Sequence, residues 1–594
     1  MTLQELHLLY EKRSNNFSVA QSKSKKQINL ISNVRLITAL AGIGFAYLSI
    51  SNPWFGFGIA VCLVFFLFLV KKHALLFHEH ALLENLFKIN ITERKVLDGD
   101  YMSLPEGTGF VDPHHPYTHD LDIFGKGSLF QYMNRCNTIN GQKQFAYGLA
   151  NPLTDRQTIE DRQDAIRDVT ARIEFRQHIQ AAGMESGEQP GDHEQLLAWL
   201  KQPSFLPSGN AFRMLLIVIP LLTLCALIGS FFIKEVKVVL FALIITQWSI
   251  TGLRLKKINI FHDYISQKKN ILQKYSRLLY YLQQEKFTAT KCKTLQSVAH
   301  EADVNIRKLA SLVNALDART NALATLFVNS LLMYDLQCVY RLEKWKADHA
   351  DKLPIWLNAI TETEVLCSYG TFAFNNPGLN YAVITDELKI EAKDLAHPLI
   401  DAAERVPNTI VMGPAPAVFI VTGANMAGKS TFLRTLGVNL ILALNGTPVC
   451  ASSFLCPAIS LRTGMRTADS LQDHQSYFYA ELNRLKTIMD ELRQKKPLLI
   501  LLDEILKGTN STDKQAGSMA LVKQLLPYPC LAIIATHDLA LGALEQEYPN
   551  EVKNYCFEAN IENDQLSFDY KLNAGLAQKM NASFLMKKMG IIPK

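Results

Sequence analysis

Val418-Phe-Ile-Val-Thr-Gly-Ala-Asn-Met-Ala-Gly-Lys-Ser-Thr-Phe432 reads as a strand, a glycine loop and the start of a helix. An apolar, β-branched run ends at Gly423, and helix-forming residues follow Gly428. Gly423, Gly428, Lys429 and Ser430 keep the G-x-x-x-x-G-K-[ST] spacing, in which backbone N–H groups and a helix N-terminus surround phosphate oxygens with partial positive charge. Ala424, Asn425, Met426, Ala427 and Thr431 complete the expected nucleotide-binding loop. Lys429 is expected to reach the β- and γ-phosphates, and the Ser430 hydroxyl to ligate Mg²⁺. A glycine loop without a nucleotide is the bland alternative.

Two further runs supply what phosphate chemistry needs. Leu498-Leu-Ile-Leu-Leu-Asp-Glu504 is continuously apolar, as expected of a strand buried on both faces, and ends in two carboxylates. Asp503 suits Mg²⁺ held through water, and Glu504 suits orienting and polarising the attacking water; a helix-capping acid is the alternative. Leu531-Ala-Ile-Ile-Ala-Thr536 delivers His537 at its carboxyl end. His537 is expected to sense the γ-phosphate, against the commoner structural role of a strand-end histidine.

These stretches resemble the ATPase domains of the DNA mismatch-repair MutS family, which carry a TGPNMGGKST loop, a DEIGRGT strand end and an ATH strand end. Here they read Thr422-Gly-Ala-Asn-Met-Ala-Gly-Lys-Ser-Thr431, Asp503-Glu-Ile-Leu-Lys-Gly-Thr509 and Ala535-Thr-His537. Ala468-Asp-Ser-Leu-Gln-Asp-His-Gln-Ser-Tyr-Phe-Tyr-Ala-Glu481 is similar to the family's signature segment, with Ser476, Phe478 and Glu481 on its S-T-F-x-x-E positions. The resemblance implies a homodimer joined through the ATPase domains, in which Ser476 points at the partner's ATP. Departures are Ala424 for Pro, Ala427 for Gly and Leu506-Lys507 for Gly-Arg. Ala427 bears on hydrolysis more than on binding if flexibility is needed there.

The 594 residues exceed one core and call for several domains. A formal charge of +6 is too mild to argue nucleic-acid binding. Ten cysteines lack C-x-x-C pairing and read as reduced thiols, with no metal site suggested beyond nucleotide Mg²⁺. The first apolar run follows a long polar segment without a small-residue cleavage pattern, so no cleavable signal is expected.

That run, Leu36 to Ile50, and the next, Phe55 to Val70, are separated by Ser51-Asn-Pro-Trp54 and closed by Lys71 and Lys72. Each half with its flanks approaches the roughly 20 residues of a membrane crossing. Met214 to Ile233 and Val238 to Leu253, split by Lys234-Glu-Val-Lys237 and flanked by Arg213, Arg254, Lys256 and Lys257, repeat the device. Buried core helices are the alternative. The basic outer flanks predict four crossings in contact with membrane lipid, a multi-pass protein of the cell (inner) membrane, and cytoplasmic core and ATPase domains.

Between the hairpins, Leu121 to Gly141, Leu149-Ala-Asn-Pro-Leu-Thr154 and Ile159-Glu-Asp-Arg162 resemble the start of the MutS core domain, with its T-x-x-G step, N-P-L turn and I-x-x-R helix. From Ile258 to about Glu364 the pattern is helical: Ile265, Leu272, Tyr275, Leu279 and Leu282, then Leu309, Leu312, Leu316 and Leu323, recur at a/d-like spacing and resemble the family's lever helices, shortened. Lys268, Lys269, Lys274, Arg277, Lys291 and Lys293 read as a solvated face or as phosphate contacts. Leu395-Ala-His-Pro398 resembles the family's R-H-P turn.

The expected fold is therefore mixed: transmembrane helical hairpins, an all-α MutS-like core and a C-terminal α/β P-loop ATPase domain of ABC type. The domain map is an N-terminal amphipathic, basic segment (1–35), a transmembrane hairpin (36–72), the first part of the core (73–210), a second hairpin (211–257), core and lever helices (258–385) and the ATPase (386–594). A membrane hairpin stands where classical members carry their mismatch-reading domain, so direct mismatch sensing is not expected, and the family's C-terminal tail is expected to be missing. The resulting expectation is a membrane-anchored, dimeric ATPase using ATP and Mg²⁺, coupled to DNA. The alternatives are an ABC-type ATPase driving transport, and an ATP-gated membrane tether without DNA.

Overall fold

The computed structural model describes residues 1–578 apart from 186, 205, 208, 267, 321, 425, 467–476, 508–509 and 563–564. The described chain is mostly helical, with three sheets. The helices used below are α1 (Leu3–Ser49), α2 (Gly56–Leu97), α3 (Asn210–Gly229), α4 (Val236–Gly252), α5 (Leu255–Ile265), α6 (Lys269–Gln284), α7 (Thr290–Asp317), α8 (Ala322–Leu332), α9 (Leu353–Asn375), α10 (Lys429–Leu444) and α11 (Tyr477–Arg493).

α1 starts at a capping box, in which the Thr2 hydroxyl accepts the Glu5 N–H and the Glu5 carboxylate accepts the Thr2 N–H. No proline or glycine occurs before Gly42, so nothing breaks the helix between the charged lead-in and the first apolar run. The two segments expected to divide at residue 35 share one rod. The break comes at Asn52, whose side chain accepts the Trp54 N–H ahead of Pro53. α2 then runs antiparallel to α1 and carries straight past Lys72 to Leu97.

Apolar side chains of this hairpin face outward: Ile37, Ile43, Tyr47, Phe57 and Val64 are all exposed. α1, α2 and α3 are long and apolar enough to cross a membrane, and α4 with α5 would make a fourth span if counted as one, bent by 58°. α3 and α4 are pinned by Gln247, which donates to the Thr223 hydroxyl at 2.6 Å.

The lower ends of α1 and α2 are rooted in the core. Tyr10 donates to Asn375 at the end of α9 (2.7 Å), Asn375 donates to Glu93 of α2 (2.8 Å), and Glu93 pairs with Arg135 at 2.5 Å, fully buried. In α6, Leu272, Tyr275, Leu279 and Leu282 are buried, as their spacing predicts, and Leu309 and Leu316 of α7 are buried with them; the Leu323 side chain lies outside the described residues. The basic residues of this stretch are mostly neither solvated nor free for phosphates. Lys274 pairs with Glu188 at 3.0 Å, Lys268 with Asp192, and Lys291 with Glu362 at 3.2 Å.

The main sheet holds β1 (Val418–Gly423), β2 (Ser460–Gly464), β3 (Leu498–Asp503), β4 (Cys530–Thr536), β5 (Val552–Glu562) and β6 (Gln565–Ala574) in the order β6-β5-β1-β4-β3-β2. All neighbours are parallel except the β5–β6 hairpin. β1, β3 and β4 are buried on both faces, which explains their unbroken apolar runs. Register sets Thr536 beside Thr422 and Ala535 beside Asp503, so three strand tips end at one level.

Asp120 joins this sheet to the first part of the core. Fully buried, its carboxylate accepts the Thr463 hydroxyl (2.6 Å), the backbone N–H groups of Met465 (3.1 Å) and Arg466 (3.0 Å), and the Arg484 guanidinium (2.8 Å).

Candidate functional site

The site forms where β1, β3 and β4 end, the usual place for ligands on an open parallel sheet. After β1 the chain turns through Gly423, where an added Cβ would sit 2.7 Å from the Phe557 carbonyl oxygen. It enters α10 from Gly428 at φ +108°, a conformation suited to glycine. Met426 also has a left-handed backbone, at φ +68°, whereas Ala427 does not, so the methyl at 427 is accommodated without backbone strain.

Lys429 is buried, and its ammonium donates to the carbonyls of Gly423 (2.8 Å) and Ala424 (3.0 Å), 3.4 Å from His537 Nε2. Burial lowers its pKa, against the pull of Asp503 and Glu504. Ser430 donates to Asp503 Oδ2 at 2.5 Å. His537 Nε2 lies 2.6 Å from Glu504 Oε1, and Lys507 approaches the other oxygen at 3.5 Å. The hydrogen bond from His537, with the positive charge of Lys507, holds the Glu504 carboxyl down at about 2 despite its partial burial. Lys429, Ser430, Asp503, Glu504 and His537 thus meet in one place, as the sequence predicts. Asn425 and Ser476 lie outside the described residues.

A cavity of about 400 Å³ adjoins the loop and takes Ala424, Met426, Gly428, Lys429, Ser430 and Thr431 into its wall. His397, Ile400, Val406, Phe557 and Tyr570 also line it, with Phe557 and Tyr570 packed close to the loop glycines. His397 is pushed down to about 4, first by burial and then by neighbouring Arg434, so a neutral imidazole faces the cavity; its Nδ1 accepts the Leu399 N–H at 3.3 Å. These residues were not singled out from sequence. The turn Leu395-Ala-His-Pro398 was a visible signal for His397, but Phe557 and Tyr570 sit in a hairpin without a motif.

The residues present fit a magnesium–nucleotide ligand. Ser430 and Asp503 put hard oxygen donors side by side, as magnesium requires. The amino end of α10 and the buried ammonium supply positive potential beside a half-apolar cavity of ordinary ligand size.

Glu481 of α11 accepts the backbone N–H groups of Leu506 (2.6 Å) and Lys507 (3.2 Å), tying the helix after the 467–476 segment to the turn that carries Glu504. Leu506 adopts φ +59° and Glu504 φ +55° in that turn.

Comparison with known proteins agrees with this geometry. The profile of MutS domain III matches residues 117–505 and that of MutS domain V residues 419–594. The chain is 30% identical over 225 residues to the DNA mismatch repair protein MutS of Thermotoga maritima, covering 37% of this chain and 28% of that protein. It is 31% identical over 228 residues to the MutS of Lactobacillus helveticus, covering 37% and 26%, and 30% identical over 234 residues to that of Bacillus cereus, covering 38% and 26%. The chain therefore spans little more than a quarter of the length of these relatives. Two matching domain profiles, one of them running through the core and the second apolar hairpin into the sheet as far as β3, establish that the chain belongs to the MutS family.

Proposed function

We propose that the chain is a membrane-anchored ATPase of ABC type that binds and hydrolyses ATP in composite sites of a homodimer. The observation that carries this reading is the convergence of Ser430 on Asp503 and of Glu504 on His537 at the tips of three neighbouring strands. In this reading Lys429 and the loop N–H groups from Gly423 to Thr431 hold the phosphates, and Ser430 and Asp503 hold Mg²⁺. Magnesium bound there supplies charge neutralisation to the phosphates. Glu504, kept ionised by His537 and Lys507, orients a water and takes its proton, while His537 bridges Glu504 and the position of the γ-phosphate. The neutral His397 and the rings of Phe557 and Tyr570 receive the base. Ser476 completes the partner's site.

The boundaries given from sequence serve as the working domain map, with α1–α2 and α3–α4 as the membrane hairpins and the core and ATPase in the cytoplasm. The output reading we favour is mechanical. α8, at the end of the lever helix α7, lies against α3 and α4, with Trp248 Nε1 donating to the Ser330 hydroxyl at 2.8 Å, and Gln337, in the helix that follows α8 (Tyr334–His349), donates to the Leu216 carbonyl at 3.2 Å. Movement of the levers would thus reach the apolar hairpin. DNA is the partner class carried over from the relatives' name, and mismatch sensing is not part of the proposal.

The test uses detergent-purified full-length protein. Wild type is expected to bind a fluorescent ATP analogue and release phosphate; Lys429→Ala loses both; Glu504→Gln binds but turns over at least ~100-fold more slowly. Indifference to adenine nucleotides would overturn the proposal, and unchanged turnover in Glu504→Gln would remove Glu504 from its role. A titration with homoduplex, mismatched and branched DNA across a salt range decides the DNA arm, absence of salt-sensitive binding favouring the tether.

A further inference from the structure

α3 carries a proline in mid-helix, Pro220. A proline has no N–H to return to the carbonyl four residues back, and its ring crowds that turn. The carbonyl left without its helical partner is that of Leu216, a buried residue, so a donor must come from elsewhere in the protein. Gln337 of the Tyr334–His349 helix supplies it. Its amide nitrogen has two hydrogens and uses both, one on the Leu216 carbonyl at 3.2 Å and one on the Leu332 carbonyl at the end of α8 at 2.8 Å.

The two halves of α3 are fastened to different helices. Ahead of the proline, Phe212 and Leu216 belong to the main apolar core, and Phe212 packs against Tyr340 of the Tyr334–His349 helix with ring centres 6.4 Å apart. Beyond it, no α3 side chain among the described residues joins that core. Leu221, Leu222 and Leu224 are exposed, while the fully buried Thr223 accepts the Gln247 amide of α4. The joint between the halves is thus the turn of α3 that lacks its own hydrogen bond. Bending there breaks no backbone bond within the helix, whereas bending at any other turn of α3 would break at least one.

We propose that Pro220 is a hinge and Gln337 the strap that works it. A lever displacement carried through the Tyr334–His349 helix draws the Leu216 half of α3 with it, while the Thr223 half stays with α4. This rests on the ATPase reading and the mechanical output put forward above, and is independent of whether the hairpin lies in lipid.

The strap is tested by a double-mutant cycle, read as thermal midpoints of the full chain in neutral detergent. Gln337→Leu is expected to lower the midpoint by about 2–4 °C, because it leaves a buried carbonyl unpaired. In a Pro220→Ala background residue 220 regains an N–H for Leu216, and the same substitution should cost clearly less. The bond to Leu332 is lost in both backgrounds and cancels. Equal losses in the two would overturn the strap.

The hinge is tested by hydrogen–deuterium exchange over residues 214–225, with and without a non-hydrolysable ATP analogue. In wild type the analogue should change exchange there roughly threefold or more. Pro220→Ala, outside the nucleotide site, should bind the analogue equally and lose that change. A wild-type protein that binds the analogue without any change over 214–225, or a Pro220→Ala variant that keeps the wild-type change, overturns the hinge. Wild type that binds no analogue refutes the ATPase reading and with it nucleotide as the driver, while the cycle still decides the strap.

Discussion

Glu481 accepts the backbone N–H of Leu506 at 2.6 Å, so a carboxylate on α11 fixes the turn two residues beyond the proposed catalytic Glu504. Replacing Glu481 by Ala strips the cap from two N–H groups, one of them on a buried residue, at a cost of about 1–3 kcal/mol. The expected outcome is a lower thermal midpoint and slowed phosphate release with nearly unchanged ATP affinity, read by fluorimetry and a coupled assay. Equal losses in affinity and turnover would instead make Glu481 part of the binding surface.

Leu506 stands where the relatives' motif has glycine, in a left-handed conformation. Reverting it to Gly relieves roughly 1–2 kcal/mol of backbone strain. It also forfeits about 1.5–3 kcal/mol of leucine burial and adds about 0.5–1 kcal/mol of unfolded-chain entropy. Burial wins, so Leu506→Gly should lower stability by about 1 kcal/mol; a raised melting temperature would show that strain dominates.

Asp120→Ala leaves the Arg484 guanidinium and two backbone N–H groups without their buried acceptor. Loss of one partner from a buried pair costs about 3–5 kcal/mol. Asp120→Asn keeps the acceptor oxygen and should lose less. Chemical denaturation in detergent ranks the two, and an Asn variant as damaged as the Ala variant would point to charge rather than hydrogen bonding.

His397 offers a pH test. Its folded value, about 4, lies below its ordinary 6.5, so the unfolded chain binds the proton more readily between those limits. Stability is therefore full above pH 6.5 and declines as pH falls through 4. Thermal midpoints from pH 7.5 to 4.5 should show a slope that His397→Gln flattens; an unchanged slope would place its origin elsewhere.

Legibility followed locality. Lys429, Ser430, Asp503, Glu504 and His537 were readable because each follows closely on an apolar strand, Lys429 and Ser430 through the glycine loop and the others directly, and parallel register brings those strand ends level. The rest of the cavity lining was not, because His397, Phe557 and Tyr570 arrive from three segments whose meeting depends on the β5–β6 hairpin packing against the loop. The bonds of Asp120 to residues 463–484 were equally hidden, joining positions more than three hundred residues apart. The a/d spacing of α6 marked its buried face correctly, whereas its lysines read as a solvated face, since spacing alone does not reveal Glu188 and Asp192 opposite them.

α2 continues unbroken from its apolar run into the core, where Glu93 is locked to Arg135. At 1.5 Å per residue, the stretch from Val70 to Glu93 is a strut of about 35 Å. If, as proposed, the outer end of that strut lies in lipid, the engine is held at a stand-off of up to that length, too tightly jointed to swing freely. Whatever it acts upon must come to that height.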